Sequence, residues 1–299
     1  MSAPPTRLFD RALIETRRRR ARRIGPATFL IDRVAEEFSD RLAAVLRRFD
    51  RAVDLGTPTP AVRAALAGSE AIGDMAAVAP GFEEKDPAPL RIVADIETLP
   101  FAAASLDLVV SALALQTVDD LPGVLIQVRR ALKPDGLFLA ALLGGDTLCE
   151  LRESFAVAES EIAGGVSPRV APFADLRDMG ALLQRAGFAL PVTDVDHVVV
   201  RYASPLALMA DLRRMGATNP LIERRRVPLR RDLLARLVAV YAERFSDPDG
   251  KVRASFDIVW LSGWAPHESQ QQPLRPGAAK ARLADALGTR EISAGEKPG

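Results

Sequence analysis

The residues best placed to do chemistry in this chain of 299 residues lie in one short stretch, from Val53 to Pro60, which reads VDLGTPTP. Its first half has the form of a buried strand that ends in an acid and a glycine. Many α/β domains have such a strand directly before a cofactor-binding loop. Such loops usually carry two further glycines, because glycine lets the backbone approach a ligand closely. Pro58 and Pro60 stand at those positions. We therefore expect ligand binding here to be weakened, lost or supported by a reshaped loop.

The two prolines differ in the effect we expect from them. Pro58 removes a backbone N–H donor and adds a ring where clearance is needed, and one lost hydrogen bond costs about 0.5–1.5 kcal/mol. Pro60 is less damaging because proline is tolerated in the first turn of a helix, which Thr59 can cap. The strand–turn–helix is predicted to survive while cofactor affinity falls.

Three acids, Asp54, Asp74 and Asp95, each follow a predicted strand. The carboxyl ends of parallel strands meet at one edge of a sheet, where ligands bind. An acid about 20 residues after the glycine loop suits ribose hydroxyls, and an acid after the third strand can accept a hydrogen bond from an adenine amine. Ordinary turn or N-cap roles are the alternative for all three.

Other reactive residue types offer little chemistry. The two histidines, His197 and His267, belong to no H-x-D element, so we predict no iron site of the two-histidine, one-carboxylate type and no metal. The single cysteine, Cys149, excludes an intramolecular disulfide framework and has no evident activating partner. The segment 144–147 borders a substrate pocket or forms a turn that caps the next helix.

Short strands that alternate with helices must position these residues. Strands are predicted over 52–55, 71–73, 90–93, 106–110, 137–143, 196–202 and 254–262. Helices are predicted over 61–66, 120–132, 151–163, 173–186, 206–215 and 231–245. The alternation favours a parallel sheet covered on both faces, with a strong turn signal at 133–136.

Two helices are predicted before the first strand. The first is rich in arginine and amphipathic; it could contact anionic lipid, RNA or an acidic partner, or pack with a solvated charged face. The second carries apolar residues at helical spacing from Phe29 to Phe49. We divide the chain into an N-terminal helical segment (1–49), an α/β domain (50–264, with a helical insertion at about 203–253) and a loose C-terminal tail (265–299).

The composition limits the class of protein. With 40 basic and 39 acidic residues, the whole molecule is not an electrostatic nucleic-acid binder. No apolar run reaches the roughly 18–20 residues that span a bilayer, and no secretory segment opens the chain. We expect a soluble, cytoplasmic protein without nucleic acid; peripheral membrane contact is left to the basic first helix.

Segments 95–101, 105–111 and 132–136 together resemble class I S-adenosylmethionine-dependent methyltransferases. The resemblance implies a Rossmann-like, doubly wound α/β sheet with S-adenosylmethionine as cofactor. By matching position, it places cofactor contacts at residues near the ends of the first four strands: Asp54, Gly56, Asp74, Met75, Asp95, Ile96 and Ser111.

A narrower match runs from Leu8 to Gln270 and resembles the mitochondrial complex I assembly factor 5 family. Its segments are 8–11, 144–148, 150–152, 164–168, 187–188 and 267–270. The resemblance implies a role in assembling respiratory complex I, a complex I subunit as partner, and an association with hydroxylation of an arginine in the subunit that bears the terminal iron–sulfur cluster. The family's usual His-Trp after the fourth strand is Gln116-Thr117 here, so any contact made by that pair changes.

Three functions remain open at this point. The first is an S-adenosylmethionine-dependent enzyme of the assembly-factor type that modifies a protein substrate. The second is a non-catalytic assembly chaperone that has lost cofactor binding, favoured by Pro58, Pro60, Gln116 and Thr117. The third is a small-molecule or carrier-protein carboxyl methyltransferase, against which the match of the carboxyl-terminal half argues.

Overall fold

A seven-stranded sheet forms the centre of the computed structural model, which describes residues 7–82, 88 and 90–270. The strands are β1 (Phe49–Leu55), β2 (Ile72–Ala79), β3 (Leu90–Val93), β4 (Leu106–Ala112), β5 (Leu132–Gly144), β6 (Ala189–Tyr202) and β7 (Val252–Trp264). Their order is β3-β2-β1-β4-β5-β7-β6; the first five run parallel, and β7 is antiparallel to both its neighbours. The chain reverses direction across the sheet between β1 and β4, and in open α/β sheets ligands bind outside the strand ends at such a point.

Helices cover both faces of the sheet, as the alternating pattern predicts. Within the described residues they are α1 (Arg11–Ile24), α2 (Phe29–Ala43), α3 (Ala61–Leu66), α4 (Leu121–Ala131), α5 (Cys149–Ala163), α6 (Leu176–Arg185), α7 (Pro205–Arg214) and α8 (Arg231–Phe245). One core holds Phe38 of α2, Tyr241 of α8 and Trp260 of β7. The other holds Leu125 of α4, Phe138 of β5 and Leu183 of α6. Burial on both faces explains why the central strands are almost continuously apolar.

The amino-terminal helices lie in the same compact unit as the sheet, which extends to Pro266. Asp10 caps α1 by accepting a hydrogen bond from the backbone N–H of Leu13 (3.0 Å). The predicted second helix ends at Ala43 rather than continuing to Phe49. Phe49 instead begins β1, because its N–H donates to the carbonyl oxygen of Ala71 (2.7 Å). The predicted C-terminal tail lies outside the described residues from position 271 onward.

Two predicted elements differ from the structure. The second strand is not a short segment that ends at Asp74; it starts at Ile72 and continues through small apolar residues to Ala79. The turn predicted at 133–136 lies within the bounds of β5, where the register with β4 shifts and Asp135 has a φ of 66°. A proline and a residue of positive φ produce this irregularity without ending the strand. No helix among the described residues is long and apolar enough to cross a membrane.

Candidate functional site

The loop after β1 begins at Gly56, whose backbone only glycine adopts without strain. Its φ is +72°, and an added Cβ would lie 3.1 Å from Ile96 and 3.2 Å from Ala114. Its N–H donates to the carbonyl oxygen of Val78 (2.7 Å), which holds the loop beside the end of β2. The first glycine of the loop therefore keeps the close-approach role that the sequence predicts for it.

The carboxylate of Asp54, at the end of β1, fixes the conformation of this loop through hydrogen bonds. It is 1 % exposed and accepts hydrogen bonds from the Thr57 hydroxyl and the Arg63 guanidinium. The Thr57 oxygen in turn accepts the backbone N–H of Ala112 (3.1 Å). The Asp54 carboxylate is thus engaged within the chain, and its effect on a bound molecule passes through the loop that it holds.

Asp74 and Met75 do not lie at the carboxyl edge of the sheet. Asp74 pairs in register with Arg51 near the start of β2, and Met75 packs against the core that contains Phe38. The placement of Asp74 at the end of a strand was therefore wrong, because β2 continues five residues further. Ala79, its last residue, occupies the position beside the loop where an acid was expected.

Asp95 and Ile96 do follow β3 at the carboxyl edge. Ile96 is the side chain nearest to Gly56. Asp95 accepts the backbone N–H of Glu97 (2.9 Å) and an ion pair from Arg11 of α1 (2.5 Å). Arg11 also pairs with Glu97 and lies 3.8 Å from Asp119. Sequence reasoning missed this contact of α1 with the strand ends, although its residues begin the Leu8–Arg11 segment of the family resemblance.

The last predicted contact residue, Ser111, is fully buried at the end of β4. Its hydroxyl donates to the carbonyl oxygen of Leu55 (2.7 Å), so it joins β4 to β1. Gln116 follows in a short 3-10 turn and donates from Nε2 to the carbonyl oxygen of Leu113 (2.8 Å). Its buried Oε1 has no hydrogen-bond partner among the described residues. An unpaired buried acceptor is costly unless a ligand satisfies it.

A cavity of about 260 Å³, here called the cofactor-loop cavity, lies directly on this loop. Its walls include residues 56–60, Ala79 at the end of β2, and Glu15, Arg18 and Arg22 of α1. A second cavity of about 390 Å³, the apolar cavity, is lined by side chains such as Leu30, Phe155 and Met209. Pro58 and Thr59 line both, so the two cavities adjoin each other.

The segment 144–150, prominent in the family resemblance, is tied to β7. Asp257 accepts the N–H of Asp146 (2.9 Å), and Asp257 donates its own N–H to the hydroxyl of Thr147 (3.0 Å). Glu150 accepts from both the N–H (3.1 Å) and the hydroxyl (2.6 Å) of Ser255. Of the two roles considered for 144–147, these bonds fit the turn before α5, while Leu148 beside it reaches the apolar cavity.

Two side chains near this segment have perturbed pKa values. Burial and the neighbouring Glu150 raise the pKa of the Cys149 thiol to about 11, so the thiol stays protonated at neutral pH. The hydrogen bond from His197 Nδ1 to Asp257 (2.7 Å) raises the pKa of His197 above its usual value, and the negative charge of Asp257 adds to this. Neither residue lines the two cavities.

The domain that carries this site matches known methyltransferase domains. A methyltransferase-domain profile matches residues 55–140, the span that contains the loop, β2 to β4 and most of β5. The human protein named arginine-hydroxylase NDUFAF5, mitochondrial, is 39 % identical over 91 % of this chain and 81 % of its own length. The zebrafish protein of the same name is 36 % identical over 86 % and 81 %.

The chain belongs to the arginine-hydroxylase NDUFAF5 family.

The fold of this NDUFAF5-family protein agrees with that assignment. A proposed methyltransferase from Bacillus halodurans has the same fold with a TM-score of 0.52, 15 % identity, and coverage of 78 % of this chain and 99 % of its own. A malonyl-[acyl-carrier protein] O-methyltransferase from Laribacter hongkongensis is 40 % identical, but over 64 % of this chain and 61 % of its own length. The methyltransferase domain and the family membership support S-adenosylmethionine as the cofactor.

Proposed function

We propose that this protein is an S-adenosylmethionine-dependent enzyme of the complex I assembly-factor type that modifies a protein substrate. The observation that carries the proposal is the pair of cavities that meet at Pro58 and Thr59. One lies on the cofactor loop, and the other offers an apolar space beside it. Such adjoining spaces are what a group transfer needs, because alignment of two bound molecules supplies much of the rate.

The residues of the cofactor-loop cavity fit a cofactor of this kind in part. Gly56 provides a close backbone approach, while the charged side chains of the described lining are Glu15 and the three arginines Arg18, Arg22 and Arg63. Pro58 and Ala79 lack the N–H donor and the acid of stronger sites. When bound, S-adenosylmethionine supplies a carbon group activated on its sulfonium.

Titration calorimetry with S-adenosylmethionine tests the cofactor site. We expect a micromolar dissociation constant for the native chain and no measurable binding for Ala79→Trp, whose side chain fills the cavity. Asp74→Asn, at the opposite edge of the sheet, is the matched control and should bind normally. Equal binding by all three proteins would place the cofactor elsewhere and reject the proposal.

A non-catalytic assembly chaperone is the second candidate, and Pro58 together with Ala79 favours it. Cells that lack the native gene and express Ala79→Trp distinguish the two functions. If complex I assembly is restored by Ala79→Trp as well as by the native chain, cofactor binding is dispensable and the chaperone is correct. If Asp74→Asn restores assembly and Ala79→Trp does not, the enzyme is correct.

The partner and the compartment belong to the same proposal. We infer that the protein substrate is a respiratory complex I subunit, as the family resemblance implies. The named relatives are mitochondrial, and for this chain we propose a cytoplasmic location, which its single cysteine supports because it fits a reducing compartment. Pull-down of complex I subunits with the native chain, and fractionation of the source cells, test the two points.

A further inference from the structure

The apolar cavity has a strongly cationic wall. Eight arginines and no aspartate or glutamate are among its described lining residues. Carboxylates of the described residues neutralise at least four of these arginines: Arg18 pairs with Glu15 (3.5 Å), Arg169 with Glu159 (2.5 Å), Arg214 with Asp211 (3.2 Å) and Arg224 with Asp10 (3.0 Å). Arg213, in contrast, makes no ion pair within the described residues. The cavity therefore combines an apolar interior with excess positive charge.

Part of the excess positive charge lies where the apolar cavity meets a further cavity. A third cavity of about 270 Å³, here called the arginine cavity, is lined by Arg17, Arg20, Arg213 and Thr218. Arg17, Arg213 and Thr218 also line the apolar cavity, so the two spaces adjoin. The Arg17 guanidinium is held in place by donating to the carbonyl oxygen of Thr218 (2.9 Å). Arg20 has no ion-pair partner in the described part of the chain either.

The three cavities adjoin one another along α1, whose segment from Arg17 to Arg22 contributes side chains to each of them. The cofactor-loop cavity adjoins the apolar cavity through Pro58 and Thr59, and the apolar cavity adjoins the arginine cavity through Arg17 and Arg213. A molecule that fills the last two has an apolar body in the apolar cavity and an anionic group beside Arg20 and Arg213. Guanidinium groups bind phosphate and carboxylate oxygens through several parallel hydrogen bonds.

We propose that this protein binds an amphipathic anion, with its alkyl or ring body in the apolar cavity and its phosphate or carboxylate in the arginine cavity. Its binding does not rest on the proposed function, in which the group acceptor is a protein. Because Arg20 and Arg213 line the arginine cavity, the anion anchors the molecule there.

Calorimetric titration with decyl phosphate, below its micelle-forming concentration and without cofactor, tests the site. We expect saturable binding that tightens by about fourfold per methylene along a series of alkyl phosphates. Decyltrimethylammonium, with the same chain and the opposite charge, should bind at least about tenfold more weakly. Decanoate shows whether a carboxylate replaces the phosphate. Because no cofactor is present, failure of the proposed function leaves this result unaffected.

Variants of exposed arginines locate the anion. Arg20→Gln and Arg213→Gln should each weaken decyl phosphate binding by about tenfold, the effect of one hydrogen bond to a charged group. Arg19→Gln, on the same helix but outside all three cavities, is the matched control and should bind normally. The proposal is overturned if the ammonium compound binds equally well, if chain length has no effect, or if Arg19→Gln weakens binding as much as Arg20→Gln.

Discussion

The backbone N–H of Gly56 donates a 2.7 Å hydrogen bond to the carbonyl oxygen of Val78. This bond fixes the carboxyl end of β2 against the cofactor loop, and it makes Ala79 the next residue beside the cavity. In sheets of this kind the residue at that position commonly binds ribose hydroxyls through a carboxylate. The protein therefore has a methyl group where the fold offers room for an acid.

Ala79→Asp should strengthen binding of S-adenosylmethionine. A carboxylate there can accept hydrogen bonds from ribose hydroxyls, and one such bond to a charged group is equivalent to about tenfold in affinity. Titration calorimetry of the native and variant chains measures the change. Asp74→Asn should leave the affinity for S-adenosylmethionine unaltered. If Asp74→Asn instead binds more weakly and Ala79→Asp binds no more tightly, the ribose contact belongs to Asp74.

Pro58→Gly should also raise cofactor affinity, by up to about tenfold. The change restores one N–H donor and removes a ring that lines both adjoining cavities. Pro60→Gly is the matched control, because Pro60 stands at the N-cap of α3 with a φ of −76° that proline adopts naturally. If Pro60→Gly gains as much affinity as Pro58→Gly, loop flexibility rather than the missing donor limits binding.

Arg63→Met should destabilise the fold by about 3 kcal/mol, because it removes the guanidinium that neutralises the buried Asp54 carboxylate. Urea unfolding followed by circular dichroism measures the loss. The double variant Asp54→Asn/Arg63→Met should lose less than the sum of the single changes, since the buried charge is then absent. Arg51 is exposed on β1, the strand that carries Asp54. The free energy of unfolding of Arg51→Met should therefore stay within about 0.5 kcal/mol of that of the native chain.

The bounds of several helices and strands were predictable from the sequence, whereas the residues that face the site depend on how the strands pair in the folded protein. The helix bounds of α3 and α8 and the bounds of β3 are as predicted. The second strand extends further along the chain than the local pattern predicts, because small apolar residues continue it past Asp74 to Ala79. Its register with β1, which decides which residue faces the ligand, depends on pairing between strands and not on the local pattern.

His197 should titrate above its usual pKa, and the free energy of unfolding should therefore depend on pH. A raised pKa in the folded state means that the protonated form is stabilised by folding, through the contact with Asp257. This contribution is complete below the unfolded pKa of 6.5 and is lost as pH rises through the higher folded value. NMR titration of the imidazole measures the pKa. In His197→Gln, the fall in unfolding free energy over this window should disappear; an unchanged fall would assign it to another group.

Cys149 should react slowly with thiol reagents in the folded protein. Its raised pKa, about 11, leaves little thiolate at pH 8, and the side chain is half-buried. Ellman's reagent added to native and urea-unfolded protein measures the two rates, and the unfolded chain should react faster. Equal rates would show that the thiol is exposed in solution.

Arg11 illustrates why part of the site could not be predicted. Its contacts with Asp95, Glu97 and Asp119 join residues that are 84 to 108 positions apart in the sequence, so no local pattern reveals them. The family resemblance did include the segment 8–11, but it gave no position for it. Resemblance identifies which residues recur, and only packing shows which other residues they contact.

The pairing of β5 with β7 has a consequence for the newly made chain. β5 ends at Gly144 and its antiparallel neighbour begins at Val252. At translation rates of about 5–20 residues per second, the ribosome needs roughly 5–20 seconds to make the intervening polypeptide. During that interval the outer edge of β5 has unpaired N–H and C=O groups that can join strands of other nascent chains. Slow synthesis of this stretch thus favours aggregation, and a chaperone that covers the β5 edge would counteract it.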